Sequence, residues 1–206
     1  MEYKIEAQTR GVRIISGQEA KKRRALLNKL IDIAELEGFE EIILPSIEPS
    51  KVYINKAGEE IRNQMYIFPD KKERELCLRP EATATIQLLA DKHLKRQKNV
   101  KYWYFERCWR YEKPQLGRYR EFFQFGIEII NPTSPNITNE LISIAERMVG
   151  LKTEEFEVNK CVKRGLDYYI EDGFEISVPK LGDQKQVLGG GIYNQGIGFD
   201  RLMLCE

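Results

Sequence analysis

The sequence predicts an α+β fold, a mostly antiparallel β-sheet flanked by helices, and two observations carry this prediction. The first is the stretch from Phe105 to Glu128, where aliphatic and aromatic residues alternate on both sides of a Pro-Gln-Leu-Gly turn, as in two antiparallel strands. The second is residues 26–36, whose apolar side chains recur at helical spacing. The length favours one domain, residues 1–206, with its helices on one face of the sheet.

The first half of the chain has clear start and stop signals. Ser16, with Glu19 three positions later, matches a capping box that opens a helix. A glycine closes that helix, and Pro45 stops the strand that follows. The predicted elements are an extended segment at 1–15, a helix from Ser16 to Gly38, a strand at 39–44, a hairpin of strands 65–68 and 75–78, and a helix from Pro80 to about His93.

The second half continues the same alternation of strands and helices. Thr138 is the expected cap of a helix that carries an apolar stripe and ends at Gly150. The other predicted elements are strands at 101–109 and 120–130, a linker at 131–136, strands at 156–162, 173–178 and 186–189, and a last helix from about Phe199.

Composition excludes several classes of function. The 33 Lys and Arg nearly balance the 32 Asp and Glu, so the net charge of +1 gives no general attraction to nucleic acid. His93 is the one histidine, and the four cysteines are scattered, which argues against a zinc site and against a histidine-activated nucleophile. Unpaired cysteines fit a cytoplasmic protein, and no apolar run approaches the ~20 residues that span a bilayer.

The stretch from Phe105 to Glu128 also interleaves arginines with aromatic residues. An arginine grips phosphate through a rigid fork of donors, and an aromatic ring beside it offers a stacking face for a nucleobase. The pattern therefore predicts a nucleotide site. A salt-bridged surface hairpin with aromatic cross-strand pairs is an equally good interpretation of these residues taken alone.

The rest of the chain adds a family resemblance. Five runs occur in the order Leu78–Thr83, Arg110–Glu112 with Arg118–Gln124, Arg164–Tyr169, Gly189–Tyr193 and Gly196–Leu202. Together they resemble the catalytic core of class II aminoacyl-tRNA synthetases, and of histidyl-tRNA synthetases in particular. The segment Glu37–Pro45 is similar to the first, dimer-forming motif of that class. The Arg-Gly-Leu-Asp-Tyr-Tyr run is the most specific match, since it resembles a histidine-recognition element.

The resemblance implies an ATP site and a reaction. Arg110 and Arg164 are the implied catalytic residues, which address the α-phosphate from two sides. The implied ATP-binding residues are Arg110, Glu112, Arg118, Phe122 and Arg201, with Phe122 and Arg201 enclosing the adenine and Arg118 reaching the outer phosphates. Mg²⁺ is expected to arrive with ATP, because it binds substrate phosphates through one or two carboxylates.

It also implies an amino-acid site. The residues at the matching positions are Glu81, Thr83, Gln124, Glu128, Tyr168 and Tyr169. Glu81 offers the negative charge that an α-ammonium requires, and the tyrosine pair offers hydroxyls to an imidazole. An aromatic strand pair that faces opposite sides of a sheet is the structural alternative for the two tyrosines.

The implied function is the ATP-dependent activation of an amino acid, most of all histidine, as its adenylate, with transfer to the acceptor end of tRNA(His). We expect a catalytic module without the insertion and anticodon-binding domains of the family. We also expect a homodimer, formed through apolar residues of the first motif (Leu30, Ile33, Ile42 and Leu44). The alternatives are a non-catalytic paralog that binds histidine or nucleotide and regulates a partner, and an inactive dimerisation module.

Overall fold

Ten strands and five α-helices occur in the part of the chain that the computed structural model describes, residues 9–150, 153–162, 173–191 and 193–205. The strands are β1 Glu40–Glu41, β2 Ile47–Pro49, β3 Ile67–Pro69, β4 Glu75–Leu78, β5 Val100–Trp109, β6 Glu121–Ile130, β7 Glu157–Val162, β8 Gly173–Ser177, β9 Gln186–Gly190 and β10 Asn194–Gly198. The helices are α1 Gly17–Leu36, α2 Lys51–Ala57, α3 Thr83–His93, α4 Ile137–Val149 and α5 Phe199–Leu202.

Seven of the strands form one sheet, in the order β1-β5-β6-β10-β9-β8-β7. Its pairs are antiparallel except β1 with β5, which run parallel. The strands β2, β4 and β3 form a small antiparallel sheet of their own. The predicted α+β fold with a mostly antiparallel sheet is confirmed.

Helices cover both faces of the large sheet, so the expectation of helices on one face is wrong. Successive side chains of a strand point to opposite faces. Trp103 and Phe125 stack on each other at 5.8 Å in the core that α1 and α4 cover. Tyr104, the neighbour of Trp103, packs instead with Ile86 of α3 in a second cluster on the other side.

The hairpin β5–β6 lies in the middle of the sheet and is the scaffold of the fold. Phe125 and Ile127 are fully buried, and β6 pairs with β5 on one side and β10 on the other. Because its residues form the core, the surface-hairpin interpretation is wrong. The strand β10 was not predicted, since Gly196 and Gly198 interrupt the alternation that marks a strand.

The helix α1 ends as the sequence predicts, but its predicted capping box is not formed. The helix ends as predicted, with Gly38 at a φ of +78° and the Phe39 amide donating to the Ala34 carbonyl at 3.0 Å. At the start, Ser16 holds the N-cap position but makes no side-chain capping bond. The carboxylate of Glu19 instead accepts from Arg13 at 3.1 Å, so the predicted capping box is not formed.

Three predicted boundaries are shifted. The helix expected from Pro80 begins at Thr83, because the Glu81 carboxylate accepts the amide hydrogens of Thr83 (2.7 Å) and Ala84 (2.9 Å). The helix α4 begins at Ile137, with Asn136 rather than Thr138 at its N-cap. The strand expected at 39–44 is reduced to β1.

The apolar residues expected to form a dimer surface are largely inside the domain. Leu30 is fully buried, Leu44 is buried, and Ile33 and Ile42 are half-buried. Other apolar residues of the same segment are exposed, among them Leu36 at 83% and Ile43 at 80%. Among the described residues, no helix is both long and apolar enough to cross a membrane.

Candidate functional site

A cavity of ≈ 450 Å³ opens beside the ends of β6, β9 and β10, and we call it the first cavity. Its lining brings together eight of the predicted site residues, which are Glu81, Thr83, Arg110, Glu112, Arg118, Phe122, Gln124 and Arg201. These residues come from five segments of the chain, separated by as many as 120 positions. The prediction that they meet around one space is therefore consistent with the geometry.

Arg110 follows the end of β5 and is fixed by two contacts. Its Nε donates to the Pro80 carbonyl at 2.9 Å, and its guanidinium lies 5.4 Å from the centre of the Phe122 ring. The remaining guanidinium nitrogens carry the positive charge at the cavity wall. Arg110 is thus positioned by the backbone and by an aromatic ring.

The turn between β5 and β6 forms another part of the wall. The backbones of Gln115 and Arg118 bond to each other at 2.9 and 3.0 Å, and the Arg118 side chain forms an ion pair with Glu112. Burial favours the neutral form of Glu112, but the hydrogen bond and charge of Arg118, with Arg110 and Arg201 nearby, outweigh it and lower the pKa of Glu112. Glu112 is therefore an ionised carboxylate at the cavity.

Arg201 of α5 forms the wall between the turn and β9. Its Nε donates to the Gly117 carbonyl at 3.1 Å and its Nη1 to the Gln186 carbonyl at 2.8 Å. These two bonds connect α5 to the turn and to β9. The guanidinium that stacks near Phe122 is that of Arg110, while Arg201 lies against backbone carbonyls, so the predicted enclosure of a base by Phe122 and Arg201 stays a prediction.

The floor of the first cavity is formed by Glu81 and Thr83, with a second buried carboxyl group, Glu128, behind it. Thr83 donates its hydroxyl to Glu128 at 2.8 Å, and Glu128 lies behind Thr83, 1% exposed and outside the cavity lining. Burial, with the charge of Glu81 as a smaller cause, raises the pKa of Glu128 to about 8. Burial also raises the pKa of Glu81, against the opposing effect of its backbone bonds and of Arg110.

The substitution Glu128→Gln is expected to stabilise the protein at alkaline pH. The pKa of Glu128 is higher in the folded state than its ordinary value near 4.5, so the cost of ionising it on the folded protein is absent below pH ~4.5 and complete above ~8. The gap in unfolding free energy between variant and wild type should widen by ~1–2 kcal/mol from pH 6 to pH 8, as urea titrations at each pH will measure. A gap that is constant with pH contradicts the assignment.

Two glycines make room for side chains beside the floor. A Cβ at Gly126 of β6 would lie 2.2 Å from Cζ of Tyr104, and one at Gly196 of β10 would lie 2.5 Å from Nε2 of Gln124. The two glycines are direct neighbours across the β6–β10 pair. The absence of a side chain at both positions therefore lets the Tyr104 ring and the Gln124 amide approach the sheet closely.

Asp200 is the main structural residue that the sequence did not reveal. Its Oδ1 accepts from Arg23 at 2.7 Å and from Arg13 at 3.1 Å, and its Oδ2 accepts from the Phe123 amide at 2.8 Å. It connects α5 to α1, to β6 and to the segment before α1. Its place beside Arg201 in the Gly-Phe-Asp-Arg run was the available signal.

Three predicted site residues, Arg164, Tyr168 and Tyr169, lie outside the described residues. Within the described ranges, no group of three or more His, Cys, Asp or Glu side chains is arranged to hold a metal ion. The structure therefore describes the eight predicted residues that line the first cavity, together with Glu128 behind it.

Residues 11–160 match the family model described as histidyl-tRNA synthetase. The chain belongs to the histidyl-tRNA synthetase family. The histidine–tRNA ligase of Methanocaldococcus jannaschii is 39% identical over 180 residues, which cover 87% of this chain and 39% of that protein. The ligase of Archaeoglobus fulgidus is 39% identical over 147 residues, 71% of this chain and 36% of that protein. The chain thus spans under half the length of these relatives.

Solved structures share the fold. Apo histidyl-tRNA synthetase of S. aureus superimposes with a TM-score of 0.76 at 22% identity, over 96% of this chain and 69% of that one. A Bacillus halodurans structure described as an ATP phosphoribosyltransferase regulatory subunit/histidyl-tRNA synthetase superimposes with a TM-score of 0.78 at 15% identity. The superposition covers 99% of this chain and 84% of that one. The pyrrolysyl-tRNA synthetase of Desulfitobacterium hafniense has a TM-score of 0.69 at 16% identity, over 89% of this chain and 68% of that one. The predicted class II synthetase fold is confirmed for this histidyl-tRNA synthetase family member.

Proposed function

We propose that this histidyl-tRNA synthetase family member activates histidine with ATP to form histidyl adenylate and pyrophosphate. The observation that carries the proposal is the first cavity, whose wall holds Arg110, Arg118 and Arg201 and whose floor holds Glu81 and Thr83. A cationic wall suits a triphosphate, and an acidic floor suits an α-ammonium group. One space thus offers partners for both substrates.

The chemistry needs positioning and charge rather than covalent catalysis. A carboxylate oxygen of histidine attacks the α-phosphorus of ATP, the bond from that phosphorus to the bridging oxygen breaks, and pyrophosphate leaves with the electron pair. In this proposal Arg110 takes the α-phosphate from one side and Arg164 from the other, so that negative charge developing on the phosphorus is spread over two guanidinium groups. Phe122 and Arg201 flank the adenine.

The Arg118–Glu112 ion pair has a proposed role in the same step. Arriving outer phosphates compete with Glu112 for Arg118, which frees the carboxylate for the exocyclic amine of adenine or for Mg²⁺. Glu112 is ionised and faces the cavity, so it fits the single-carboxylate pattern by which proteins hold this metal with substrate phosphates. Mg²⁺ bound there would supply further charge neutralisation.

We propose that histidine is recognised by the floor of the first cavity and by Tyr168 and Tyr169. Glu81 binds the α-ammonium, Gln124 the same end of the amino acid, and Thr83 orients Glu128. The raised pKa leaves a proton on Glu128 at neutral pH, and Glu128 acts through Thr83, whose hydroxyl lies between it and the first cavity.

The test is pyrophosphate exchange with each of the twenty amino acids in turn. Exchange that requires histidine and ATP supports the proposal, and charging of tRNA(His) measures transfer separately. A folded protein that exchanges pyrophosphate with none of the twenty contradicts it. Exchange with a different amino acid keeps the ATP assignment and rejects histidine.

A regulatory protein that binds histidine without activating it is the second candidate. It is favoured by the Bacillus halodurans structure, whose description includes a regulatory subunit and whose fold covers nearly all of this chain. Calorimetry separates the two proposals, because the regulatory candidate binds histidine with no binding of ATP. The presence of Arg110, Arg118 and Arg201 at one cavity favours the enzyme.

We further propose a homodimer that forms through the exposed apolar residues next to β1. Leu36 and Ile43, both about four-fifths exposed, flank that strand, and such residues are typical of protein–protein contacts when they lie together. The substitution Ile43→Lys should halve the mass measured by light scattering at micromolar concentration. Ile14→Lys, at a 51% exposed position before α1, is the matched control and should leave the dimer intact. A monomeric wild type contradicts the proposal.

A further inference from the structure

A second cavity, of ≈ 290 Å³, lies on the other face of β5 and β6 from the first cavity. Its walls come from α1, β5, β6, α5 and the segment before α1. The lining residues are Arg13, Ile15, Ala20, Arg23, Arg24, Leu27, Phe105, Arg107, Glu121, Phe123, Phe199 and Asp200. Nothing in the proposed activation of histidine uses this space.

Arg23 presents an unsatisfied donor at the second cavity. The residue is only 8% exposed, and its Nη1 donates to Asp200 at 2.7 Å. Its Nη2 is buried and has no hydrogen-bond partner among the described residues. Buried guanidinium hydrogens are nearly always bonded, so a free pair beside a cavity indicates an acceptor that binds there.

The charge of the second cavity favours an anion. Four arginines line it against two carboxylates, and both carboxylates are engaged. Asp200 is shared by Arg13 and Arg23, and Glu121 pairs with Arg107 at 3.4 Å. Arg13 also forms an ion pair with Glu19, which does not line the cavity. Arg24 is exposed at the rim and has no ion pair within the described ranges.

The rest of the wall is apolar and aromatic. The rings of Phe105 and Phe123 stack at 5.0 Å, and Phe199 meets Phe105 edge to face at 4.9 Å. The guanidinium of Arg23 lies 5.1 Å from the Phe123 ring and 4.9 Å from the Phe199 ring. A flat apolar group is accommodated by such a surface, and the volume suits a small molecule.

We propose that the second cavity binds a small carboxylic acid with a flat apolar body. Its carboxylate accepts from Nη2 of Arg23 and pairs with Arg24 at the rim, while its body packs on the phenylalanine rings. A monoanion matches the one free donor nitrogen and the modest positive excess. The site is distinct from the first cavity, although Phe123 and Asp200 line both.

Benzoate is a suitable probe, with benzyl alcohol as its neutral counterpart. Calorimetry and amide chemical shifts on the intact chain should show saturable benzoate binding, with the largest shifts near Arg23, Arg24 and Phe123. Benzyl alcohol should bind at least about tenfold more weakly, because it cannot form the charge-assisted bonds. Equal binding of the two compounds overturns the proposal.

Variants localise the binding and separate it from the first cavity. Arg24→Gln, at an exposed position, should weaken benzoate binding about tenfold, and Lys21→Gln, which removes another exposed charge three positions away on α1, should not. Arg23→Gln should remove binding, with Arg13 still bound to Asp200. If Arg110→Ala loses benzoate binding, the ligand lies in the first cavity and the proposal is overturned. The proposal is also overturned if ATP competes with benzoate and Arg24→Gln binds benzoate as tightly as the wild type does.

Discussion

Replacing Arg110 by alanine is expected to reduce histidine-dependent pyrophosphate exchange by about 10²- to 10³-fold, or ~2.7–4 kcal/mol in the barrier. The guanidinium is held in place before substrate arrives, by the Pro80 carbonyl and the Phe122 ring, so it stabilises developing charge without having to reorganise. The measurement is kcat and KM for exchange. The loss should fall mainly on kcat, because the charge that Arg110 meets is greatest in the transition state.

Arg74→Ala is the matched control for this substitution. Arg74 pairs with Asp70 in the turn between β3 and β4 and is largely exposed, so its loss removes a guanidinium without touching the first cavity. Its exchange rate should equal that of the wild type. An Arg110→Ala protein that unfolds like the wild type in urea and exchanges at the normal rate contradicts the role of Arg110.

The second large effect concerns stability and Arg79. Arg79→Met is expected to lower the free energy of unfolding by ~3–5 kcal/mol, as for a buried ion pair that loses one partner. Arg79 is fully buried and donates to Glu106 at 2.5 Å and to the carbonyls of Pro45 (2.9 Å) and Arg107 (3.0 Å). Methionine fills similar volume but leaves Glu106 charged in the interior. Urea denaturation gives the value.

A double-mutant cycle tests the reason for that effect. Glu106→Gln keeps an acceptor for the Leu44 amide, which the Glu106 carboxylate binds at 2.6 Å, and removes the charge. Adding it to Arg79→Met should recover part of the lost stability, because the uncompensated charge is gone. Arg74→Met, which breaks an exposed pair, should change stability little. Strictly additive effects would argue against a direct interaction of Arg79 with Glu106.

The central part of the fold was accessible from the sequence because its signals are local. The hairpin β5–β6, the hairpin of β3 and β4, and the closure of α1 at Gly38 each follow from alternation or from a glycine in a turn. The convergence of Arg110, Arg118 and Arg201 followed only from the family resemblance. Nothing in local pattern brings residues so far apart in the sequence to one cavity.

The errors have two physical causes, which are competing polar contacts near the helix ends and the burial of apolar residues by distant segments. Ser16 was expected to cap α1 in a capping box with Glu19, but Glu19 pairs with Arg13. The helix α3 was expected to begin at Pro80 but begins at Thr83, whose amide donates to Glu81. Thr138 fits a capping position by type, yet the turn at Asn136 precedes it. Leu30 and Leu44 were expected at an exposed surface because the sequence does not tell which apolar residues the sheet will cover.

The contacts of α5 also determine when during folding the first cavity is able to form. Asp200 bonds to Arg13 across 187 positions and to Arg23 across 177, and Arg201 fixes the turn at Gly117 across 84. Contacts of such separation close late and slow the search for the native state, since a long loop must be ordered before they are gained. A polypeptide emerging from the ribosome would hold its first hairpins early, while the substrate pocket would assemble only once residue 201 had cleared the exit tunnel.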